Sequence, residues 1–254
     1  YGNATAGRTV DDGNGTAPIA LAGNAPITQA IVNGTLANSG RFQPIGHDGL
    51  GLRHGHAIKK FGIDQPAVAD IGVTRDGEGD RDKFLDVVRT FAHDCFVPIC
   101  IGGGVRNLDD VAELMKVGAD KVMVNTGALE RPELIKEISR AYGAQCAVVS
   151  IDAKKNEDGD YEVFSNCGRA ATSKSPADWA QEAEDLGAGE ILITSIDRDG
   201  SLQGYDIDLC KAVSDSVSIP VLGLAGAGNW KHFLEGFEKG GLSAVCTQNI
   251  YHFT

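Results

Sequence analysis

Two glycine-rich turns, each following a short apolar run that carries a proline, recur at a fixed separation in this chain. Ile101-Gly102-Gly103-Gly104 follows Val97-Pro98-Ile99-Cys100, and Leu224-Ala225-Gly226-Ala227-Gly228 follows Ile219-Pro220-Val221-Leu222. Gly103 and Gly226 lie 123 residues apart, and the same shift carries Arg75-Asp76-Gly77 onto Arg198-Asp199-Gly200 and Gly118 onto Gly241. It also carries the apolar run from Lys121 to Val124 onto Ala244 to Thr247. A shift that keeps strands, glycine turns and helices in step indicates a duplicated βαβ unit. Glycine after a buried strand leaves backbone N–H groups free to approach a phosphate, so two such turns suggest a ligand with a phosphate at each end.

The pattern between the turns is strand–helix alternation. Strands are expected at Ala67–Ile71, Val97–Ile101, Lys121–Asn125, Cys146–Ile151, Ile191–Thr194, Ile219–Leu222 and Ser243–Thr247. Helices are expected at Asp80–His93, at Leu108–Val117 capped by Asn107, from Pro132 to before Gly143, and at Pro176–Leu186, Ile207–Val213 and Trp230–Glu238. Asp158-Gly159, ahead of Tyr161–Phe164, predicts a hairpin. Seven strands fit an open doubly wound sheet, but the twofold repeat favours closure of the α/β chain into a single (β/α)8 TIM barrel of two similar half-barrels. Residues 1–56, rich in Gly, Asn, Thr and Ala, then form an atypical, poorly ordered first βα unit. Neither Ile19–Ala22 nor Ala30–Val32 makes a convincing barrel strand.

Composition narrows the function. The 254 residues suffice for one barrel, and no apolar run approaches the length that spans a bilayer. No charged n-region followed by an apolar stretch opens the sequence, so a cytoplasmic protein is expected. A net charge of −12 argues against nucleic acid as a partner but leaves anionic ligands open, because backbone amides bind phosphate without net positive charge. The six cysteines show no CxxC pair, and Cys100, Cys146 and Cys246 read as small core hydrophobes. His47, His54 and His56 sit in a polar, glycine-rich stretch without a partner motif, so no metal is expected.

In a barrel the active site lies at the C-terminal ends of the strands. The polar residues there are Asp70, Asn125, Thr126, Asp152, Thr194, Ser195, Asp197, Asp199, Gly200, Gln248 and Asn249. Asp152 ends an otherwise apolar strand and is placed for general acid/base work, or for capping the following turn.

The runs Ala119–Thr126, Ser150–Lys154 and Gly187–Gly200, with Gly204-Tyr205-Asp206 and Tyr251-His252-Phe253, resemble the cyclase subunit of imidazole glycerol phosphate synthase over about residues 57–254. The resemblance implies a barrel of the ribulose-phosphate-binding type acting in histidine biosynthesis, without a cofactor. It implies a glutaminase partner that supplies ammonia, and a bis-phosphorylated phosphoribulosyl-formimino substrate that is cyclised and cleaved. By position, Asp152 resembles the general acid. Gly103, Gly104, Asn125 and Thr126 fall in one phosphate site, and Asp199, Gly200, Gly226 and Asn249 in the other. Lys121 and Glu190 resemble members of a charged ammonia gate in the barrel floor, with Gln65 where the gate has a glutamate, and Asp120 resembles a residue facing the glutaminase.

The chain departs from that family at the first strand, where a general base belongs. The nearest match, Thr9-Val10-Asp11-Asp12-Gly13, puts Thr9 at that position and leaves Asp11 as the substitute. The run His93–Gly102 is similar to a paralogue associated with surface-polysaccharide amidotransferases, in which the barrel delivers ammonia to another enzyme. A non-catalytic barrel that binds a phosphorylated ligand or a glutaminase is the third reading.

Overall fold

The computed structural model describes residues 9–10, 19–20, 27–33, 65–70 and 81–247. In chain order the elements are β1 (Thr9–Val10), β2 (Ile19–Ala20), β3 (Ile27–Asn33), β4 (Gln65–Asp70), α1 (Arg81–Asp94), β5 (Cys100–Gly102), α2 (Leu108–Lys116) and β6 (Lys121–Val124). There follow α3 (Thr126–Glu130), α4 (Glu133–Tyr142), β7 (Ala147–Lys155), β8 (Tyr161–Ser165), β9 (Ala170–Ala171), α5 (Pro176–Asp185) and β10 (Glu190–Ser195). The last are α6 (Ile207–Ser214), β11 (Val221–Leu224), α7 (Trp230–Glu238) and β12 (Ala244–Cys246).

Parallel pairing runs β10-β11-β12-β3-β4-β5-β6-β7, and β7 pairs in turn with β10. The parallel sheet therefore curls back onto itself, with helices alternating along the chain, an α/β fold consistent with a TIM barrel. Outward side chains such as Val149, Ile151, Ile191 and Ile193 pack with Leu134, Ile138, Trp179, Ala183 and Phe233 of the helices in one core cluster. Inward ones form a second cluster of Ala67, Cys100, Val148, Leu192, Leu222, Ala244 and Cys246. Strands covered on both faces read as unbroken apolar runs, which is why β7 and β10 were legible in the sequence.

The first strand corrects the sequence expectation. Thr9–Val10 pairs antiparallel with Ile19–Ala20 in a separate two-stranded sheet. Ile27–Asn33 takes the barrel position instead, between β12 and β4. Length decides this: two residues rise only about 7 Å, whereas seven rise about 23 Å and can span a barrel wall. The run Ile-Thr-Gln-Ala-Ile-Val also has the β-branched content that the sequence Asp11-Asp12-Gly13 lacks.

Register also refines the repeat. Level pairs across the two halves are Ile27 and Ala147, Gln65 and Glu190, Cys100 and Leu222, and Lys121 and Ala244. Their separations are 120, 125, 122 and 123 residues, so the single shift of 123 is one member of a set. Helices α2 and α7 have nine residues each, start 122 apart, and are capped alike by Asn107 and Asn229, whose side chains accept two backbone N–H groups each. The extra residue falls after the helix, before Gly118 and Gly241. Gly103 therefore corresponds to Ala225, and Gly104 to Gly226.

Two expected strands come out shorter at their starts. β5 begins at Cys100 rather than Val97, and β11 at Val221 rather than Ile219. Pro98 and Pro220 have no N–H to give a ladder. The expected hairpin forms: β7 continues to Lys155, turns at Gly159 (φ 89°), and pairs antiparallel with β8. Among the described residues no helix is long and apolar enough to cross a membrane.

Candidate active site

Asp152 lies on the inward face of β7 beyond Val148 and Ser150, level with Thr194 on β10. Asn125, one residue past the end of β6, donates from Nδ2 to Asp152 Oδ2 at 3.0 Å. Burial pushes the Asp152 carboxyl up from 3.8 to about 6; the hydrogen bonds from Asn125 and Thr194 oppose the rise, and the nearby negative charge of Asp199 adds to it. About one molecule in ten is then protonated there at pH 7, against roughly one in 1,600 for an ordinary aspartate. Asp152 can thus hold or release a proton near neutrality, as a general acid must. The Asn125 amide that faces Asp152 leaves its own Oδ1 buried without a hydrogen-bond partner, a standing acceptor inside the site.

The first glycine turn follows β5. Gly103 (φ 104°) and Gly104 (φ 66°) adopt left-handed backbone, and Arg81 of α1 donates from Nη1 to Gly103 O at 3.0 Å. Thr126, the first residue of α3 just after β6, is buried, and its Oγ1 accepts the backbone N–H of Asn166 at 3.0 Å. In the second turn Ala225 (φ 81°) and Gly226 (φ 90°) repeat the conformation, with alanine where the first turn has glycine. Gly226 cannot be replaced: a Cβ there would stand 2.2 Å from Gly204 O, and the Gly226 carbonyl itself accepts Gly204 N–H at 2.8 Å. That bond stitches the turn to the loop after β10, which carries Asp199 and Gly200. Burial pushes the Asp199 carboxyl up, against a hydrogen bond from the Gly200 backbone. Asp152, Asn125, Thr194 and Asp199 therefore share one neighbourhood at the mouth, with a glycine turn on either side. Gln248 and Asn249 lie outside the described residues, as do Asp11, His47, His54 and His56.

The floor is built differently. Lys121 Nζ and Glu190 Oε1 form an ion pair at 2.5 Å, each largely buried, and Glu190 Oε2 has no partner. Gln65 stands on β4 at the position level with Glu190. Asp120 accepts the Ile99 N–H at 2.8 Å, a staple across the start of β5. Between floor and mouth lies the inward apolar cluster, flanked by Met123 and Leu224. Cys100 belongs to it, and burial together with the Glu190 charge pushes its thiol up to about 12, so it is inert. Among the described residues no group of acidic, His or Cys side chains is placed to hold a metal ion.

The position on β3 level with Asp152 is Val32, opposite Ala69 as Asp152 is opposite Thr194. No carboxylate occupies that level of the first strand. Sequence reasoning missed Arg81, Asn166 and Tyr161, because their partners are distant in sequence and no local pattern marks them. A match to a family described as "Histidine biosynthesis protein" covers residues 52–254, which includes every described element from β4 to β12.

Proposed function

The chain belongs to the histidine biosynthesis protein family, and on that premise we propose that it acts as the cyclase subunit of imidazole glycerol phosphate synthase. Members of the family are isomerases or cyclases. The observation that carries the finer reading is the charged pair Lys121–Glu190, set in the floor beneath an apolar barrel interior with Asp152 at the opposite end. An isomerase acting on one substrate at the mouth has no use for such a pair. A cyclase fed with ammonia from a glutaminase docked below does.

In this reading the phosphates of an extended substrate rest on the turns at Gly103-Gly104-Thr126 and Asp199-Gly200-Gly226. That fixes the reacting atoms over Asp152, which donates a proton as the ring closes. The unpartnered Oδ1 of Asn125 accepts from the substrate. Lys121, Glu190 and Gln65 line the ammonia entry, and Asp120 faces the partner.

Val32 at the level of Asp152 limits the rate, since one positioned carboxylate must serve both proton transfers. The loss of a general base costs about 10²–10⁴-fold. The same residue favours the second reading, an ammonia-supplying paralogue for surface-polysaccharide amidation, which needs the floor but not the full mouth.

The test is ammonia-dependent turnover of the phosphoribulosyl-formimino substrate by the parent chain and by Asp152→Asn. Slow turnover that the substitution abolishes is the expected result. Ligand binding without turnover in the parent overturns the cyclase reading and leaves the paralogue.

A further inference from the structure

The hairpin of β8 and β9 is tied down at both of its ends. Along its length it pairs with the strand that carries the acid: Phe164 is opposite Asp152, Val163 opposite Ala153, and Tyr161 opposite Lys155. Its tip is a left-handed turn, with Asn166, Cys167 and Gly168 at φ 52°, 58° and 78°, closed by Arg169 N–H to Ser165 O at 3.1 Å. Two of these residues are not glycine, and such backbone persists only where surrounding contacts hold it. Two contacts meet the tip. Asn166 N–H donates to Thr126 Oγ1 at the first turn, and a Cβ at Gly168 would lie 3.2 Å from Ile196 Cδ1, where the loop after β10 begins.

The base of the hairpin grips the far end of that loop. Tyr161 O–H donates to Asp206 Oδ1 at 2.6 Å. The same carboxylate accepts Ser195 Oγ on Oδ2 at 3.3 Å and caps α6 through Leu209 N–H at 3.3 Å. Lys155 N–H donates to Asp197 Oδ2 at 3.2 Å, and Lys155 Nζ lies 4.9 Å from the centre of the Tyr161 ring. Burial and the Asp206 charge push the Tyr161 hydroxyl's pKa upward, so it remains a donor through the working pH range.

We propose that this hairpin is a strap that sets the separation of the two phosphate turns, and that Tyr161 is the positioning residue that fixes the Asp199–Gly200 loop through Asp206. The proposal rests on the phosphate reading given above and adds residues to it. A ligand with two anionic ends gains affinity only when both turns are already at its own spacing. Tyr161 touches no ligand; it removes the freedom of the loop that does.

The experiment titrates inorganic phosphate into the full chain and follows backbone amide shifts of Gly103 and Thr126 at one turn and of Gly200 and Gly226 at the other. In Tyr161→Phe, the loss of a hydrogen bond to a charged acceptor should weaken phosphate about tenfold at Gly200 and Gly226 and less than about twofold at Gly103 and Thr126. Asp206→Ala removes the acceptor that Tyr161 uses and should weaken phosphate at Gly200 and Gly226 at least as much as Tyr161→Phe does. Equal weakening at both turns, or none at either, overturns the strap. So does Asp206→Ala leaving phosphate affinity at Gly200 and Gly226 unchanged. Silence of all four amides in the wild-type chain overturns the phosphate reading itself and the strap with it, a result distinct from failure of the variant alone.

Discussion

Asp152→Asn should make the folded chain more stable, by an amount that depends on pH. Burial raises the Asp152 carboxyl from 3.8 to about 6, so the folded state holds a proton that the unfolded chain releases. Stability from this group is complete below pH 4 and is lost as pH rises through 6. At 1.36 kcal/mol per pH unit, the ionised carboxylate costs about 3 kcal/mol at pH 8 and about 0.5 kcal/mol at pH 4. Asparagine has the same shape, stays neutral, and can still accept from Asn125 and Thr194 through its carbonyl oxygen. The groups facing Asp152 are Asn125, Thr194 and Asp199, and only Asp199 titrates, so the variant-minus-parent difference reads the buried charge together with its repulsion by Asp199. Urea unfolding of parent and variant at both pH values measures it. A gain near 3 kcal/mol at pH 8 that shrinks below about 1 kcal/mol at pH 4 is expected. An equal gain at both pH values, or a loss at pH 8, refutes the buried, raised carboxyl and with it the general-acid assignment.

Three further outcomes follow from the geometry. Ala225→Gly relieves a left-handed alanine and should raise the urea midpoint by the equivalent of about 1 kcal/mol, whereas Gly226→Ala, with its Cβ 2.2 Å from Gly204 O, should lower it by more than about 2 kcal/mol. Lys121→Met leaves Glu190 charged and unpartnered in the floor, and thermal or chemical unfolding should show a loss of about 3 kcal/mol that Lys121→Met with Glu190→Leu largely restores. Cys100 and Cys210, with thiols pushed up to about 12 chiefly by burial, should resist a thiol-labelling reagent in the native state and react fully only in denaturant.

Some of this was written locally in the sequence and some was not. Asn107 with Asp110 announces the start of α2 because a cap is satisfied within four residues, and the structure shows both halves of that box. Asp152 stood out as the charge ending an apolar strand. The first barrel strand carries little sequence signal because Ile27–Asn33 sits in a glycine- and asparagine-rich region, where the apolar run Ala30–Val32 is no longer than the run Ile19–Ala22. The ion pair in the floor joins residues 69 apart, and Asn166 reaches Thr126 across 40. Contacts of that range depend on barrel closure, which no window of residues encodes. A single shift of 123 places the glycine turns one residue out of step, because an added residue after α7 is invisible without strand register.

That added residue has an engineering consequence. Strand levels are kept while separations range from 120 to 125 residues, so length differences are absorbed in the connections and never in the walls. Each half then behaves as a cassette whose boundary lies between Tyr142 and Ala147. A circularly permuted chain opened there would keep every parallel pairing and move only the order in which the two cassettes leave the ribosome.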